Sequence, residues 1–257
     1  MDLGLAGRSV IVTGASRGIG RAIAAAFAAE GARLTIIART AADIEGTASI
    51  LKAAYPAVDV QAVAADVTSI VDAERIVGAA VEAYGGIDVL VNNAGGTVRE
   101  GTLEERWEGS FGLNVTSALR LMELAHPHLA RSEQAAVVNI ASIYGREYGP
   151  PGAPQYTTTK AAAIAMSKTY AMAWAAEGIR VNSVAPGSIA FEGGSWGRRM
   201  EADPEGMAQF VRDHIASGRF GAPEEVAHTV VFLASPRASW IVGASVNVDG
   251  GQSRSLI

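Results

Sequence analysis

Ser9-Val10-Ile11-Val12-Thr13 runs directly into Gly14-Ala15-Ser16-Arg17-Gly18-Ile19-Gly20, and Arg21 to Glu30 follows as an alanine-rich stretch closed by Gly31. The first five residues are a short β-branched run, which predicts a buried strand. The stretch from Arg21 to Glu30 predicts a helix that Gly31 ends. Three glycines between strand and helix permit a tight turn. They also let the backbone approach a pyrophosphate at the helix N-terminus, where amide hydrogens and the dipole favour an anion. The spacing is G-x-x-x-G-x-G rather than G-x-G-x-x-G. A strand, a glycine turn and a helix in that order predict a nucleotide-binding α/β fold.

Outward from this stretch the alternation continues. Leu34 to Ala38, Val60 to Ala64, Ile87 to Val91, Ala136 to Ala141, Arg180 to Val184 and Ser245 to Val248 read as strands. Between them, Ala41 to Ala54, Ser69 to Tyr84, Leu103 to Ala130 (one helix or two), Gln155 to Glu177, Ala202 to Ser217 and Pro223 to Ala234 read as helices. Strands alternating with helices imply right-handed βαβ units and a parallel sheet covered on both faces. The expected fold is α/β, a doubly wound (Rossmann) parallel sheet of about seven strands with helices on both faces. No linker, charge block, low-complexity tract or repeat divides the chain. Residues 1–257 are therefore expected to form a single dinucleotide-binding and catalytic domain, with its ligand beyond the carboxyl ends of the strands.

Composition narrows the function. The chain of 257 residues is 49% hydrophobic, long and apolar enough to bury a large core. A formal charge of -5 argues against a general nucleic-acid binder, which is usually basic. With no cysteine, disulfides, thiolate metal sites and cysteine nucleophiles are excluded, and no metal site is expected. Met1 to Gly7 lacks the basic region and apolar run of a secretory leader. No uninterrupted apolar stretch is long enough to span a bilayer. A soluble, cytoplasmic protein without membrane or nucleic-acid partners is expected.

Gly14-Ala15-Ser16-Arg17-Gly18 also matches G-x-S-x-G, the nucleophile elbow of α/β-hydrolases. That reading is weaker: the serine follows the first strand of the chain, and an elbow has no use for Gly20. For a dinucleotide, the end of the second strand selects the cofactor. NAD sites usually carry an acidic residue there, for the ribose 2′-hydroxyl. Here Ala38 is followed by Arg39 and Thr40, and with Arg17 in the glycine turn two guanidinium groups predict a 2′-phosphate. NADP(H) is expected in preference to NAD(H). Asp43 and Glu45 fit better as charges in the first turn of a helix.

Gln155-Tyr156-Thr157-Thr158-Thr159-Lys160 sets a tyrosine four residues ahead of a lysine, about one helical turn, so both side chains share a face. No other tyrosine of the chain has a lysine at that place. A neighbouring ammonium favours phenolate and lowers a pKa of about 10. Tyr156 is thus a candidate proton donor and acceptor.

Together these segments resemble the short-chain dehydrogenase/reductase family, in its compact single-domain branch, over nearly the whole chain. Thr13 to Gly20 is similar to its T-G-x-x-x-G-x-G cofactor motif, Asp66-Val67 to its adenine-contacting pair, and Asn92-Asn93-Ala94-Gly95 to its N-N-A-G. Asn114, Ser142, Tyr156 and Lys160 fall where the family keeps its catalytic Asn-Ser-Tyr-Lys set. Pro186-Gly187 resembles its nicotinamide-side turn. Gly218 to Gly221 with Pro223 to Ala227 resembles its late helix motif, and Val248-Asp249-Gly250-Gly251 its C-terminal end. The resemblance implies that Gly14, Ser16, Arg17, Gly18, Ile19 and Gly20 bind the cofactor. Arg39, Thr40, Asp66, Val67, Asn92, Ala94 and Gly95 would join them, with Tyr156, Lys160, Pro186, Gly187, Ser188 and Ile189. One residue departs from the pattern: Phe191 stands where the family often has a threonine that helps hold the carboxamide.

What the resemblance implies chemically is hydride transfer between nicotinamide C4 and a carbonyl or carbinol carbon. Tyr156 would protonate the developing alkoxide, and Ser142 would donate to the same oxygen. Lys160 would lower the Tyr156 pKa and bind the ribose hydroxyls, and Asn114 would hold a water for proton exchange. The expected activity is an NADP(H)-dependent oxidoreductase, a ketone or carbonyl reductase for an apolar or aromatic small molecule. The alternatives are a 3-oxoacyl-[acyl-carrier-protein] reductase and a non-catalytic dinucleotide-sensing protein of the same fold. The loop from Ile143 to Pro154 and the connection from about 188 to 217, with Phe191, Trp196, Met200 and Met207, are expected to frame the substrate, the latter as a lid. The helix from Ala161 to Ala176 is apolar on more than one face. By the same resemblance it forms a subunit interface, and a homotetramer is expected.

Overall fold

The computed structural model describes residues 2–148 and 154–256. Seven strands, β1 (Ser9–Thr13), β2 (Arg33–Ala38), β3 (Val60–Ala64), β4 (Val89–Asn92), β5 (Ala136–Ile140), β6 (Arg180–Pro186) and β7 (Ser245–Val248), form one sheet in the order 3-2-1-4-5-6-7. Every pairing is parallel. The helices between them are α1 (Gly18–Ala29), α2 (Ala41–Ala54), α3 (Ile70–Tyr84), α4 (Leu103–Phe111), α5 (Ser117–Leu129), α6 (Pro154–Trp174), α7 (Ser195–Ala202), α8 (Pro204–His214) and α9 (Pro223–Ala234). The expected doubly wound Rossmann sheet is the one observed.

Strand pleating divides the core. On β1, Val10 and Val12 face a cluster with Ile23 and Phe27 of α1, Ile44 of α2 and Val230 of α9. Ile11, between them, faces the other cluster, with Ile76 of α3, Leu121 of α5 and Trp174 of α6. The whole of β1 is buried because helices cover both faces, which is why it reads as a continuous apolar run. Because β4 adds beside β1, on the side away from β2, the direction of sheet growth reverses there. The loops that follow β1 and β4 diverge at that point and leave a crevice.

Several boundaries differ from the sequence expectation. Helix α1 starts at Gly18, not Arg21, so the last two glycines of the turn form its first turn. The helix expected from Ala202 to Ser217 is α8, which Pro204 opens and Asp203 caps by accepting from the Gly206 amide at 2.9 Å, and α7 is a further helix just ahead of it. The region from Leu103 to Ala130 is α4 and α5 joined through a π-turn at Gly112–Thr116. A π-turn widens the helix by one residue and often marks a functional position; Asn114 lies in it. Of the loop expected to frame the substrate, residues 149–153 lie outside the described residues.

Candidate active site

The crevice at the β1/β4 switch is a cleft of about 850 Å³. Its floor is the glycine turn. Gly20 packs so closely under the turn that a β-carbon there would overlap the Gly14 carbonyl and the Asn93 amide. Asn93 explains the closeness: its Nδ2 donates to the carbonyls of Thr13 at 2.9 Å and Gly14 at 3.1 Å. Thr13 reciprocates, its Oγ accepting from the amides of Asn93 and Ala94 at 2.9 and 3.0 Å. The loops after β1 and β4 are thus one bonded unit. From α2, Thr47 adds a hydrogen bond to the Ser16 carbonyl at 3.2 Å.

Most residues expected to hold a dinucleotide line this cleft. Gly14, Ser16, Arg17, Ile19 and Gly20 come from the turn, Arg39 and Thr40 from the end of β2, Asp66 and Val67 from the end of β3, and Ala94 and Gly95 from the loop after β4. Pro186, Gly187 and Ile189 close the far side. Three expected residues do not face it. Asn92 points into the sheet and donates to Asn139 Oδ1 at 2.8 Å, and its neighbour Asn93 does the work at the turn. Ser188 is buried, with its amide donating to Gln252 Oε1 at 2.7 Å. Gly18 is covered by the tip of the Phe191 ring, which sits where a Gly18 β-carbon would be. A second basin of about 560 Å³, at the amino ends of the central strands near Arg8 and Asp88, contains none of the expected residues.

The residues present fit a dinucleotide. The glycine floor leaves no room for side chains beneath the chain, and the first turn of α1 opens on the cleft at Ile19 and Gly20. Arg17 and Arg39 are exposed at the mouth, and neither forms an ion pair among the described residues. One feature opposes the fit: an apolar ring, Phe191, rests on the N-terminal turn of α1, where the amide hydrogens of the anion site lie.

Ser142, Tyr156 and Lys160 meet at the other end of the cleft. Ser142 follows β5, its hydroxyl accepts from the Tyr144 amide at 3.2 Å, and it lines the cleft together with Tyr156. Tyr156 and Lys160 share the inner face of α6, as their spacing requires. The Lys160 ammonium stands 5.7 Å from the Tyr156 ring centre and donates to the Ile140 carbonyl at 2.8 Å. Gly145 lets the Ser142 loop lie directly on the α6 backbone at Lys160. Behind Lys160, Asn114 clamps the loop after β4. Its Oδ1 accepts from the Gly96 amide at 2.9 Å, while Nδ2 donates to the Gly96 carbonyl at 2.7 Å and the Ser110 carbonyl at 2.9 Å. Asn114 Oδ1 and Lys160 Nζ converge on Gly95, where a β-carbon would meet them at 2.8 and 3.1 Å.

The electrostatics correct one expectation. Lys160 was expected to draw the Tyr156 pKa down, but burial pushes the phenol up, opposed by the Ser142 hydrogen bond. The same burial lowers Lys160 from 10.5 to about 8, because it penalises the ammonium. Spacing predicted the pairing correctly. The depth of the pair, which decides the sign of the shift, was not visible in it.

Gln252, which is buried and holds the Ser188 amide, is not among the expected residues, and Glu147 is expected only as part of the loop framing the substrate, not as an anchor for the tail. No local signal marks either residue, since their partners lie 64 or more positions away.

A Rossmann sheet with a glycine-floored switch crevice and a Ser-Tyr-Lys cluster at one end defines a nicotinamide-dependent oxidoreductase class. A family model described as enoyl-(acyl carrier protein) reductase matches residues 14–253. The chain belongs to the short-chain dehydrogenase/reductase family and is an oxidoreductase of that family. It is 37% identical over 253 residues to a 3-oxoacyl-[acyl-carrier-protein] reductase of Thermotoga maritima, covering 96% of this chain and 98% of that one. The L-sorbose reductase of Gluconobacter frateurii, solved with NADPH and L-sorbose, superposes with a TM-score of 0.93 at 34% identity, covering all of both chains. RhlG of Pseudomonas aeruginosa, solved with NADP, superposes with a TM-score of 0.88 at 36% identity over 98% of each chain.

Proposed function

We propose that this protein is an NADP(H)-dependent carbonyl reductase in which Ser142 and Tyr156 act on one substrate oxygen. The observation that carries the reading is the meeting of Ser142, Tyr156 and Lys160 at the end of the cofactor cleft. Two hydroxyl donors side by side suit a carbonyl oxygen that gains negative charge. The bound nicotinamide dinucleotide supplies the hydride in reduction or accepts it in oxidation.

The remaining chemistry belongs to the chain. Burial keeps the Tyr156 phenol protonated at neutral pH, so in the reducing direction it arrives as an acid and gives its proton to the alkoxide oxygen. Ser142 Oγ donates to the same oxygen and holds it in place. Lys160 would bind the ribose hydroxyls on the nicotinamide side. Asn114 Oδ1, beside Lys160 Nζ at Gly95, would hold the water through which the proton is replaced. Backbone amides from Gly14 to Gly20 would hold the pyrophosphate, and Gly187 and Ile189 would border the nicotinamide. Arg17 and Arg39 would hold a 2′-phosphate, and their exposure without ion pairs supports NADP(H) over NAD(H).

Residues 1–257 would act as a single domain, with the segment near 188–217 as its lid; Phe191 and Trp196 line the cleft from it. Trp196 packs with Phe210 and Phe220, and that aromatic wall supports an apolar or aromatic substrate. Assembly as a homotetramer is supported by the outer face of α6, where Met172 is 56% exposed beside small residues, and a monomer by light scattering would overturn it. Among the described residues no helix is long and apolar enough to cross a membrane; the cytoplasm is the proposed location.

The test is a panel of ketones, 3-oxoacyl thioesters, enoyl thioesters and sugars assayed with NADPH and with NADH. Carbonyl reduction with NADPH preferred is the expected result. Tyr156→Phe should then lower kcat about 10³-fold while NADPH still binds. Near-normal turnover by this variant would remove Tyr156 as the acid, and reduction confined to enoyl compounds would overturn the carbonyl reading.

A further inference from the structure

The last residues of the chain lie between the two halves of the candidate site. After β7, the chain turns at Asp249, whose carboxylate accepts from the Gly251 amide at 3.0 Å and the Ser253 amide at 2.8 Å. The Gly250 carbonyl accepts from the Ser217 amide at 2.9 Å, which ties the turn to the end of the 188–217 segment. From here the chain reaches in two directions. On the cofactor side, the Gln252 side chain is buried, and its Oε1 takes the Ser188 amide at 2.7 Å. Gly187 is packed tightly enough that a β-carbon would meet Asp249 Cβ at 2.7 Å and Gln252 Oε1 at 2.8 Å. On the catalytic side, Glu147 Oε2 accepts from Ser253 Oγ at 3.1 Å and from the Arg254 amide at 2.8 Å. Its neighbour Arg146 donates to the Ser245 carbonyl on β7 at 2.7 Å.

We infer that the segment Asp249–Ser255 is a strap holding the Ser142 loop in register with the Pro186–Ile189 turn, with Glu147 and Gln252 as its positioning residues. Neither residue lines the cleft, so neither touches the reacting atoms. Their effect passes through Ser142 and Ser188. The Ser142 loop needs such support because it leaves β5 as a single 3-10 turn and has no strand partner beyond Ala141. Transfer between two groups on separate loops depends on their spacing, and a misplacement of about 1 Å costs on the order of 100-fold. A carboxylate accepting two hydrogen bonds is a strong and directional anchor for the tail.

The two anchors should separate kinetically. Glu147→Ala frees the Ser142 loop and is expected to lower kcat about 10-fold with the KM for NADPH unchanged. Gln252→Ala frees Ser188 and is expected to raise the KM for NADPH about 10-fold, with a smaller effect on kcat. Glu147→Gln keeps an acceptor oxygen and should recover most of the activity. A chain ending at Gln252 keeps the Ser188 contact but lacks both donors to Glu147, and should match Glu147→Ala. These kinetic measurements rest on the proposed activity.

Hydrogen exchange does not rest on it. In Glu147→Ala, amides of residues 142–148 and 252–256 should exchange faster together, while those of β1 and α1 keep wild-type protection. Coupled loss of protection with rescue by Glu147→Gln supports the strap whatever the substrate proves to be. Unchanged exchange in Glu147→Ala, or a Glu147→Gln variant as impaired as Glu147→Ala, would overturn it.

Discussion

The two ends of the cleft are built differently. The glycine end is made by backbone: Gly14, Gly18 and Gly20 leave space, and Thr13 with Asn93 bonds two neighbouring loops together. The Ser142 end is made by side chains on distant segments, held by Lys160 on Ile140, Asn114 on Gly96, Glu147 on the tail and Gln252 on Ser188. The first end tolerates almost no added atoms but needs few specific side chains. The second is also closely packed, at Gly95, Gly145 and Gly187, and depends in addition on each long-range bond. A backbone cradle suits a ligand part that never changes, such as a pyrophosphate. A side-chain frame can be rebuilt around different substrates, which fits a family whose members act on acyl thioesters and sugars.

Substitutions can break or sharpen that contrast. The largest effect is expected at Lys160, the charge buried deepest at the side-chain end. Folding lowers its pKa from 10.5 to about 8, so between those values the unfolded chain holds a proton that the folded chain has released. Stability contributed by this group therefore rises with pH across that window, and its cost is fully present below pH 8. Denaturation of the wild type and Lys160→Met across this range should show their difference in stability moving by about 3 kcal/mol in favour of the wild type. Taking the difference cancels other alkaline titrations, such as that of Tyr84. A flat difference would mean that Lys160 is better solvated than its surroundings indicate.

Slightly smaller is the effect of Gly20→Ala at the backbone end. A single β-carbon there overlaps the Gly14 carbonyl, and overpacking of this kind costs about 1–3 kcal/mol. NADPH affinity by fluorescence titration should fall about 100-fold if the strain is relieved by opening the turn. Unaltered affinity would show that the turn is softer than the contrast requires. Arg39→Ala tests the charged mouth of the same end: NADPH should bind about 10-fold more weakly and NADH as before. Equal losses for both cofactors would place the guanidinium away from any 2′-phosphate.

The smallest effect sits where the two ends meet. The Phe191 ring on Gly18 must shift for an anion to reach the α1 amides, a cost that reduces apparent affinity in proportion to the covered population. Phe191→Thr should tighten NADPH binding about threefold. Weaker binding would mean instead that the ring packs against the bound cofactor.

Legibility follows the same division. The strands, the glycine turn and the Tyr156/Lys160 pairing were readable because each is a short-range pattern: β-branched runs bury, glycines turn tightly, and four residues make one helical turn. The start of α8 is written locally, in Asp203-Pro204, whereas α7 just ahead of it carries no such signal, since Gly194 caps it without a side-chain bond and Gly197 lies inside it. That Asn92 turns into the sheet while Asn93 bonds the glycine turn is not readable from the pair Asn92-Asn93, because only the register against β1 and β5 tells which one meets the turn.

The sequence alone determined the doubly wound sheet, the place of its crevice and the residue types at both ends, because these follow from local pattern and from the handedness of βαβ connections. The tertiary structure alone decided how those residues behave. It set the upward shift of Tyr156, the clamp of Asn114 on Gly96, the covering of Gly18 by Phe191 and the anchoring of the tail by Glu147. Burial depth and long-range contact are properties of the packed chain, and no spacing along the sequence encodes them directly.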